Sequence, residues 1–142
     1  MQVKDIMSQK LVTVSPDENL AVAARLLSRY NIGALPVCGK DGKLKGLVTD
    51  RDIVLRCVAT EDDANSVKVS EIMTRRVISV KPDEPIKVAS DFMAQKQIRR
   101  LPVEENGKVV GMVSLADLAK CPNYTSEAAE TLSEISTNIK HL

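Results

Sequence analysis

Gly46-Leu47-Val48-Thr49-Asp50-Arg51-Asp52 returns downstream as Gly111-Met112-Val113-Ser114-Leu115-Ala116-Asp117. Upstream of the two stretches, Ile32-Gly33-Ala34-Leu35-Pro36-Val37 is matched by Ile98-Arg99-Arg100-Leu101-Pro102-Val103. Further upstream, Ser15-Pro16-Asp17-Glu18 is matched by Lys81-Pro82-Asp83-Glu84, and Val3-Lys4-Asp5-Ile6-Met7 by Val69-Ser70-Glu71-Ile72-Met73. The offset is constant apart from one loop residue lost in the second copy. Self-similarity of this kind marks a duplicated supersecondary unit. Copy 1 spans residues 1–58, a polar linker 59–68, copy 2 residues 69–121 and a tail 122–142.

Hydrophobic periodicity reads the same way in both copies. Leu11 to Val14 and Val77 to Val80 are short β-branched runs ended by proline, the mark of a strand. Ser15 suits a helix N-cap, with Pro16 at the first helical position, acids in the first turn and Glu18 closing a capping box. Leu20, Ala23, Ala24 and Leu27 then mark one helical face, as Ile86, Ala89 and Met93 do in copy 2. Strands Ala34 to Val37 and Leu44 to Thr49 follow, and in copy 2 Asn106-Gly107 is a strong hairpin signal. A short helix closes each copy, Asp50 to Val58 and Leu115 to Lys120, the second stopped by Pro122. The expected fold is mixed α/β: tandem β-α-β-β-α repeats packed with pseudo-two-fold symmetry, because three short strands cannot bury their apolar face alone. In the tail, Ser126 to Ile139 places Ala129, Leu132, Ile135 and Ile139 at near-helical spacing. A short amphipathic helix is expected there, docked on the pair or on a partner.

Composition narrows the function classes. The 142 residues carry a formal net charge of +1, with 44% hydrophobic and 27% charged residues. Such a balance gives no electrostatic footprint for nucleic acid. Aromatics make up 2%, namely Tyr30, Phe92 and Tyr124, so stacking platforms for bases are not on offer. Cys38, Cys57 and Cys121 are odd in number and widely spaced, which fits small hydrophobes in a reducing cytosol rather than disulfides or zinc. No apolar run is long enough to span a membrane and Met1 to Asp5 opens no signal peptide, so a cytoplasmic location is expected. His141 is the only histidine, which removes Ser-His-Asp and Cys-His chemistry. Asp50 and Asp52 share a corner without a nucleophile, and no enzyme, metal site or catalytic cofactor is expected. The acidic Glu61-Asp62-Asp63 lacks the spacing of a calcium loop and reads as solvated.

Chemistry is best placed at the strand-to-helix corners. Thr49 and Ser114 offer a hydroxyl, and the helix start offers unpaired N–H groups suited to phosphate. Asp52 and Asp117, ionised, can accept from two neighbouring hydroxyls such as those of a ribose. Thr-x-x-Asp and Ser-x-x-Asp are also capping boxes that require no ligand, and duplication copies a cap as readily as a site.

The double unit, the Val-x-[Asp/Glu]-Ile-Met opening, the Leu-Pro-Val strand and the Gly-x-x-[Thr/Ser]-x-x-Asp corner together resemble a pair of cystathionine-β-synthase-type repeats (a CBS-domain pair, or Bateman module) over about residues 1–120. The resemblance implies a non-catalytic sensor of an adenosine-containing nucleotide: AMP, ADP or ATP, with S-adenosylmethionine or a dinucleotide as further candidates. It implies that Thr or Ser contacts phosphate, that Asp holds the ribose, and that the opposite repeat holds adenine. Thr49 and Asp52 would then face Ile78, Ser79, Ile98, Arg99 and Arg100, and Ser114 and Asp117 would face Thr13, Ile32, Gly33 and Ala34. With two guanidinium groups, the Asp52 cleft is expected to prefer the more phosphate-rich ligand; otherwise Arg99 and Arg100 are a solvated strand edge. The resemblance further implies a homodimer, with helices of two chains meeting in a flat disc, and output through a separate protein. A rival expectation is an interaction module whose corners are only caps and whose working surface is the tail.

Overall fold

The computed structural model describes residues 1–138. It divides into two compact units that do not follow the sequence copies. The Thr49 unit comprises Val12–Val77 with Asn106–Val109. The Ser114 unit comprises Met1–Leu11, Ile78–Glu105 and the chain from Val110 onward. Each unit takes its opening segment from the other copy. Helix α1 (Val3–Ile6) lies in the Ser114 unit, where Val3 is fully buried with Val80, Ile86 and Leu101. Helix α4 (Val69–Ile72) lies in the Thr49 unit, with Val69, Ile72 and Met73 buried among Leu20, Leu35 and Val48.

The exchange explains the first departure from expectation. Ser15 does not cap a helix: α2 runs Leu20–Tyr30, and its N-cap is Asn19, whose side-chain oxygen accepts from the N–H of Val22 at 3.0 Å. The stretch from Ser15 to Glu18 instead turns its carbonyls toward α4, which has unpaired N–H groups at its start. The N–H of Val69 donates to the Glu18 carbonyl at 2.8 Å and that of Ser70 to the Pro16 carbonyl at 3.0 Å. Copy 2 repeats the device on α1, Val3 N–H donating to Glu84 and Lys4 N–H to Pro82, both at 2.9 Å.

Helix α2 buries Leu20, Ala23 and Leu27, and α5 (Ile86–Lys96) buries Ile86, Ala89, Ser90 and Met93, the faces that the periodicity marks. Both end on a left-handed residue, Asn31 at φ 51° and Gln97 at φ 55°. The N–H of Ile32 returns to the Leu27 carbonyl, and that of Ile98 to the Met93 carbonyl, each at 3.0 Å. Such an end frees the chain to turn into a strand.

Strands β1 (Ala34–Cys38) and β2 (Leu44–Thr49) pair antiparallel, as do β3 (Arg100–Glu105) and β4 (Lys108–Ser114) as neighbours in a second two-stranded sheet. Asn106 and Gly107 both have positive φ, 55° and 79°, as a tight two-residue hairpin turn requires. The third strand of each copy is a correction. Leu11 to Val14 and Val77 to Val80 contribute only single parallel bridges, Val14 to Val37 and Val80 to Val103. One buried residue per run pairs and its neighbours Thr13 and Leu11 are exposed, so no ladder propagates.

The closing helix of copy 1, α3 (Asp50–Ile53), continues through a wider π turn, Val54–Val58, to the expected end. Its core side carries Ile53 and Cys57, while Val54, Leu55 and Val58 are exposed. In copy 2, α6 (Leu115–Ala119) is cut short before Pro122. Helix α7 (Thr125–Ile135) then packs on α5 and α6 of the same unit. Its buried residues are Ala128 and Thr131, whereas Ala129 and Leu132, two of the residues at near-helical spacing, are exposed. On the buried side Glu127 accepts the hydroxyl of buried Ser90 at 2.7 Å. Ile139 and His141, which also entered the sequence reading, lie outside the described residues.

Candidate functional site

Both corners form complete capping boxes. The N–H of Asp52 donates to Thr49 Oγ1 at 3.0 Å, and Asp52 Oδ2 accepts the Thr49 N–H at 3.0 Å. At the other corner the N–H of Asp117 donates to Ser114 Oγ at 3.1 Å, and Asp117 Oδ2 accepts the Ser114 N–H at 2.8 Å. The four residues are half-buried. A cap of this kind consumes one lone pair of the hydroxyl and one oxygen of the carboxylate. It leaves the hydroxyl proton to donate and Oδ1 to accept, so cap and ligand contact are compatible uses of one corner.

The glycine that opens each corner has a packing role. A Cβ at Gly46 would lie 2.7 Å from the Thr74 carbonyl oxygen, and one at Gly111 would lie 2.7 Å from that of Ser8. The segment following α4 runs beside β2 there, with Leu47 and Thr74 exchanging hydrogen bonds of 2.9 Å. Ser8 and Met112 do the same at 2.8 and 3.0 Å. Glycine thus lets the exchanged opening segment lie against the strand that carries the corner.

Within each unit the corner's neighbours come from its own copy. Thr49 pairs with Ala34, and the N–H of Asp50 donates to the Gly33 carbonyl at 3.0 Å. Ile32 and Thr13, both exposed, belong to the same unit. In the Ser114 unit the N–H of Leu115 donates to the Arg99 carbonyl at 2.9 Å, and Arg100 opens the strand paired with the one ending at Ser114. Ile78, Ser79 and Ile98 share that unit, with Ile78 and Ile98 packed on its core. The guanidinium-bearing residues therefore stand beside Ser114 and Asp117, while the Thr49 corner has Gly33 and Ala34 at the equivalent place.

One residue near the first corner escaped the sequence reading. Arg56 Nη2 lies 3.8 Å from Asp52 Oδ1, and its Nη1 donates to the Ile72 carbonyl at 2.7 Å. The i, i+4 spacing of acid and base on a helix was the signal available. The equivalent residue of copy 2 is Cys121, and Asp117 has no ion pair among the described residues.

Other features resolve into local structure. Asp63 accepts from the Asn65 N–H at 3.0 Å and from Ser66 Oγ at 3.3 Å. The Asn65 N–H is the main cause that holds the exposed Asp63 carboxyl below the usual carboxylate range. No group of metal-ligating side chains is assembled among the described residues. Cys57 is buried, whereas Cys38 and Cys121 are half-buried. No helix among the described residues is long and apolar enough to cross a membrane.

The model of one protein family, the CBS domain, matches twice, over residues 3–58 and 69–123. The chain belongs to the CBS-domain family. Its relatives include the CBS domain-containing protein YhcV of Bacillus subtilis, 42% identical over 98% of this chain and 95% of that protein. Among solved structures, the CBS domain pair of protein MJ0100, in complex with 5′-methylthioadenosine and S-adenosylmethionine, is 33% identical with a TM-score of 0.77. That match covers 84% of this chain and 94% of the other. The hexameric CBS-CP12 protein of bloom-forming cyanobacteria is 27% identical with a TM-score of 0.79, over 89% of this chain and 73% of that one. The tandem mixed α/β repeat read from the sequence is thus the fold of a CBS-domain pair.

Proposed function

We propose that this CBS-domain pair is a non-catalytic regulatory module of the cytoplasm, binding an adenosine-containing nucleotide at its corners and signalling occupancy to a partner protein. The observation that carries the reading is the state of the corners. After capping, Thr49 and Ser114 each keep a hydroxyl proton to donate and Asp117 Oδ1 remains to accept, while Asp52 Oδ1 faces Arg56 Nη2 at 3.8 Å. The adenosine ligands of the MJ0100 pair give that chemistry its ligand class. Asp52 and Asp117 accept from ribose hydroxyls, and Thr49 and Ser114 donate to phosphate. Ile32, Gly33 and Ala34, with Thr13, and Ile78, Ser79 and Ile98 supply the apolar and backbone surface for adenine.

Arg99 and Arg100 adjoin Ser114 within one unit, which supports the Ser114 corner as the place of the phosphate-rich ligand, beside the Asp52 cleft to which the sequence reading assigned it. AMP, ADP and ATP are the leading ligands, and the working form is a homodimer. Thermal unfolding with and without these nucleotides and S-adenosylmethionine tests the reading. Ligand at a hundred times its Kd stabilises by about 2.7 kcal/mol, which amounts to several degrees for a chain of this length. Asp117→Asn keeps an oxygen for the cap and removes the charge, so it should reduce the shift, and together with Asp52→Asn abolish it, while the unliganded protein stays folded. A folded protein that shifts with none of the ligands would leave the corners as caps alone.

A further inference from the structure

Arg56 Nη2 stands 3.8 Å from Asp52 Oδ1, beyond the roughly 2.7–3.2 Å of a direct N–H···O hydrogen bond. Neither atom has another hydrogen-bond partner among the described residues. The cap is closed through Asp52 Oδ2, and Arg56 donates to the Ile72 carbonyl at 2.7 Å through Nη1. The cap holds the carboxylate and the bond to Ile72 holds the guanidinium, so the gap between them is set from both sides. All of these residues belong to the Thr49 unit. Asp52 is largely enclosed, with a side-chain exposure of 15%, while Arg56 at 49% is open to an arriving molecule.

An acceptor and a donor across such a gap suit a single hydroxyl group. Its oxygen, within hydrogen-bond distance of both atoms, donates its proton to Oδ1 and accepts from the Nη2 N–H. Each contact has a charged partner, the stronger kind of hydrogen bond. The duplication supplies the contrast. The position of Arg56 falls to Cys121 in copy 2, and Cys121 Sγ lies 3.8 Å from Met1 Sδ. A thiol is a weak donor, and Asp117 has no ion pair among the described residues.

We propose that Arg56 is a specificity-determining residue of the Thr49 corner: with Asp52 it grips one ribose hydroxyl and makes that corner selective for ribonucleotides over their deoxy analogues. The inference rests on the nucleotide reading of the corners and adds the residue that makes their sugar preferences differ. A sugar lacking the gripped hydroxyl leaves a carboxylate and a guanidinium without their shared partner, which costs more than the loss of a contact between neutral groups. At the Ser114 corner Asp117 holds the sugar without such a donor, so the same loss counts for less.

Calorimetric titration of the full chain with AMP, 2′-deoxy-AMP and 3′-deoxy-AMP tests it. Asp117→Asn isolates the Thr49 corner and Asp52→Asn the Ser114 corner, with circular dichroism to confirm that each variant is folded. On the Asp117→Asn chain, the analogue lacking the gripped hydroxyl should bind about tenfold more weakly than AMP. Adding Arg56→Met, which keeps the stem of the side chain and removes its donors, should weaken AMP and bring the two affinities within about threefold of each other. The Asp52→Asn chain should show a smaller preference that Arg56→Met does not move. An Arg56 that only ties its helix to α4 would, on Arg56→Met, weaken AMP and its analogues by one common factor. That unchanged ratio, or equal binding of all three ligands by the Asp117→Asn chain, would overturn the inference and leave the sensor reading in place. AMP binding lost altogether with Asp117→Asn would overturn it as well, keeping the sensor reading at the Ser114 corner alone. A folded wild type that binds none of the three would sink both.

Discussion

A methyl group at Gly46 would fall 2.7 Å from the carbonyl oxygen of Thr74 and from the sulfur of Met73. The sulfur sits on a flexible side chain and can move, but the carbonyl belongs to a backbone pair held by two hydrogen bonds of 2.9 Å. Gly46→Ala should therefore cost about 1–3 kcal/mol in urea unfolding, and Gly111→Ala, facing the Ser8 carbonyl, a similar amount. Gly107→Ala makes a useful contrast, since no atom lies within 4 Å of a Cβ there and only its positive φ opposes the change. A stability unchanged by Gly46→Ala would contradict the close approach of the exchanged segment. At this scale the corner was legible as a spacing of residue types, and the structure adds the division of labour within it. Glycine serves packing, while the hydroxyl and carboxylate cap the helix with one atom pair and keep another for a ligand. The glycine's role was hidden because Thr74 and Ser8 are remote in sequence from the residues they confine.

Among the elements, helices α2 and α5 and the two hairpins follow from periodicity and turn residues, because their faces are set by residues close in the chain. The opening helices do not. Val3 and Val69 are fully buried, yet each is buried in the unit built mainly from the other copy. Nothing local in Val-x-[Asp/Glu]-Ile-Met announces that exchange. The same exchange directs Pro16 and Glu18 toward α4 and moves the start of α2 to Leu20. The tail was legible as amphipathic but not in the face it buries, since the bond between Glu127 and Ser90 joins residues remote in sequence. Removing residues 122–142 would expose the side of α5 around Ser90 and withdraw the burial of Ala128 and Thr131. A loss of about 2–4 kcal/mol is expected from that apolar area. Hydrogen exchange should rise in α5 and α6 and stay unchanged in α2, and a truncated chain with α5 as protected as before would contradict the packing assigned to α7.

At the scale of the whole molecule, a duplicated unit that has diverged gives one chain two unlike corners. Asp52 lies near Arg56, whose other nitrogen donates to the end of α4, while Asp117 has no ion pair among the described residues and stands in the unit that holds Arg99 and Arg100. A ligand can shift such a module only through its different affinity for alternative arrangements. The sensor reading accordingly depends first on occupancy of a corner. Calorimetric titration of the full chain with AMP and with ATP, on wild type, Asp52→Asn and Asp117→Asn, is the most direct measurement. Saturable binding from which Asp117→Asn removes the tighter ATP component and Asp52→Asn the other, with ATP bound more tightly than AMP at the Asp117 corner, is the expected result. Heats of dilution alone from both nucleotides, on protein shown to be folded, would contradict the central claim.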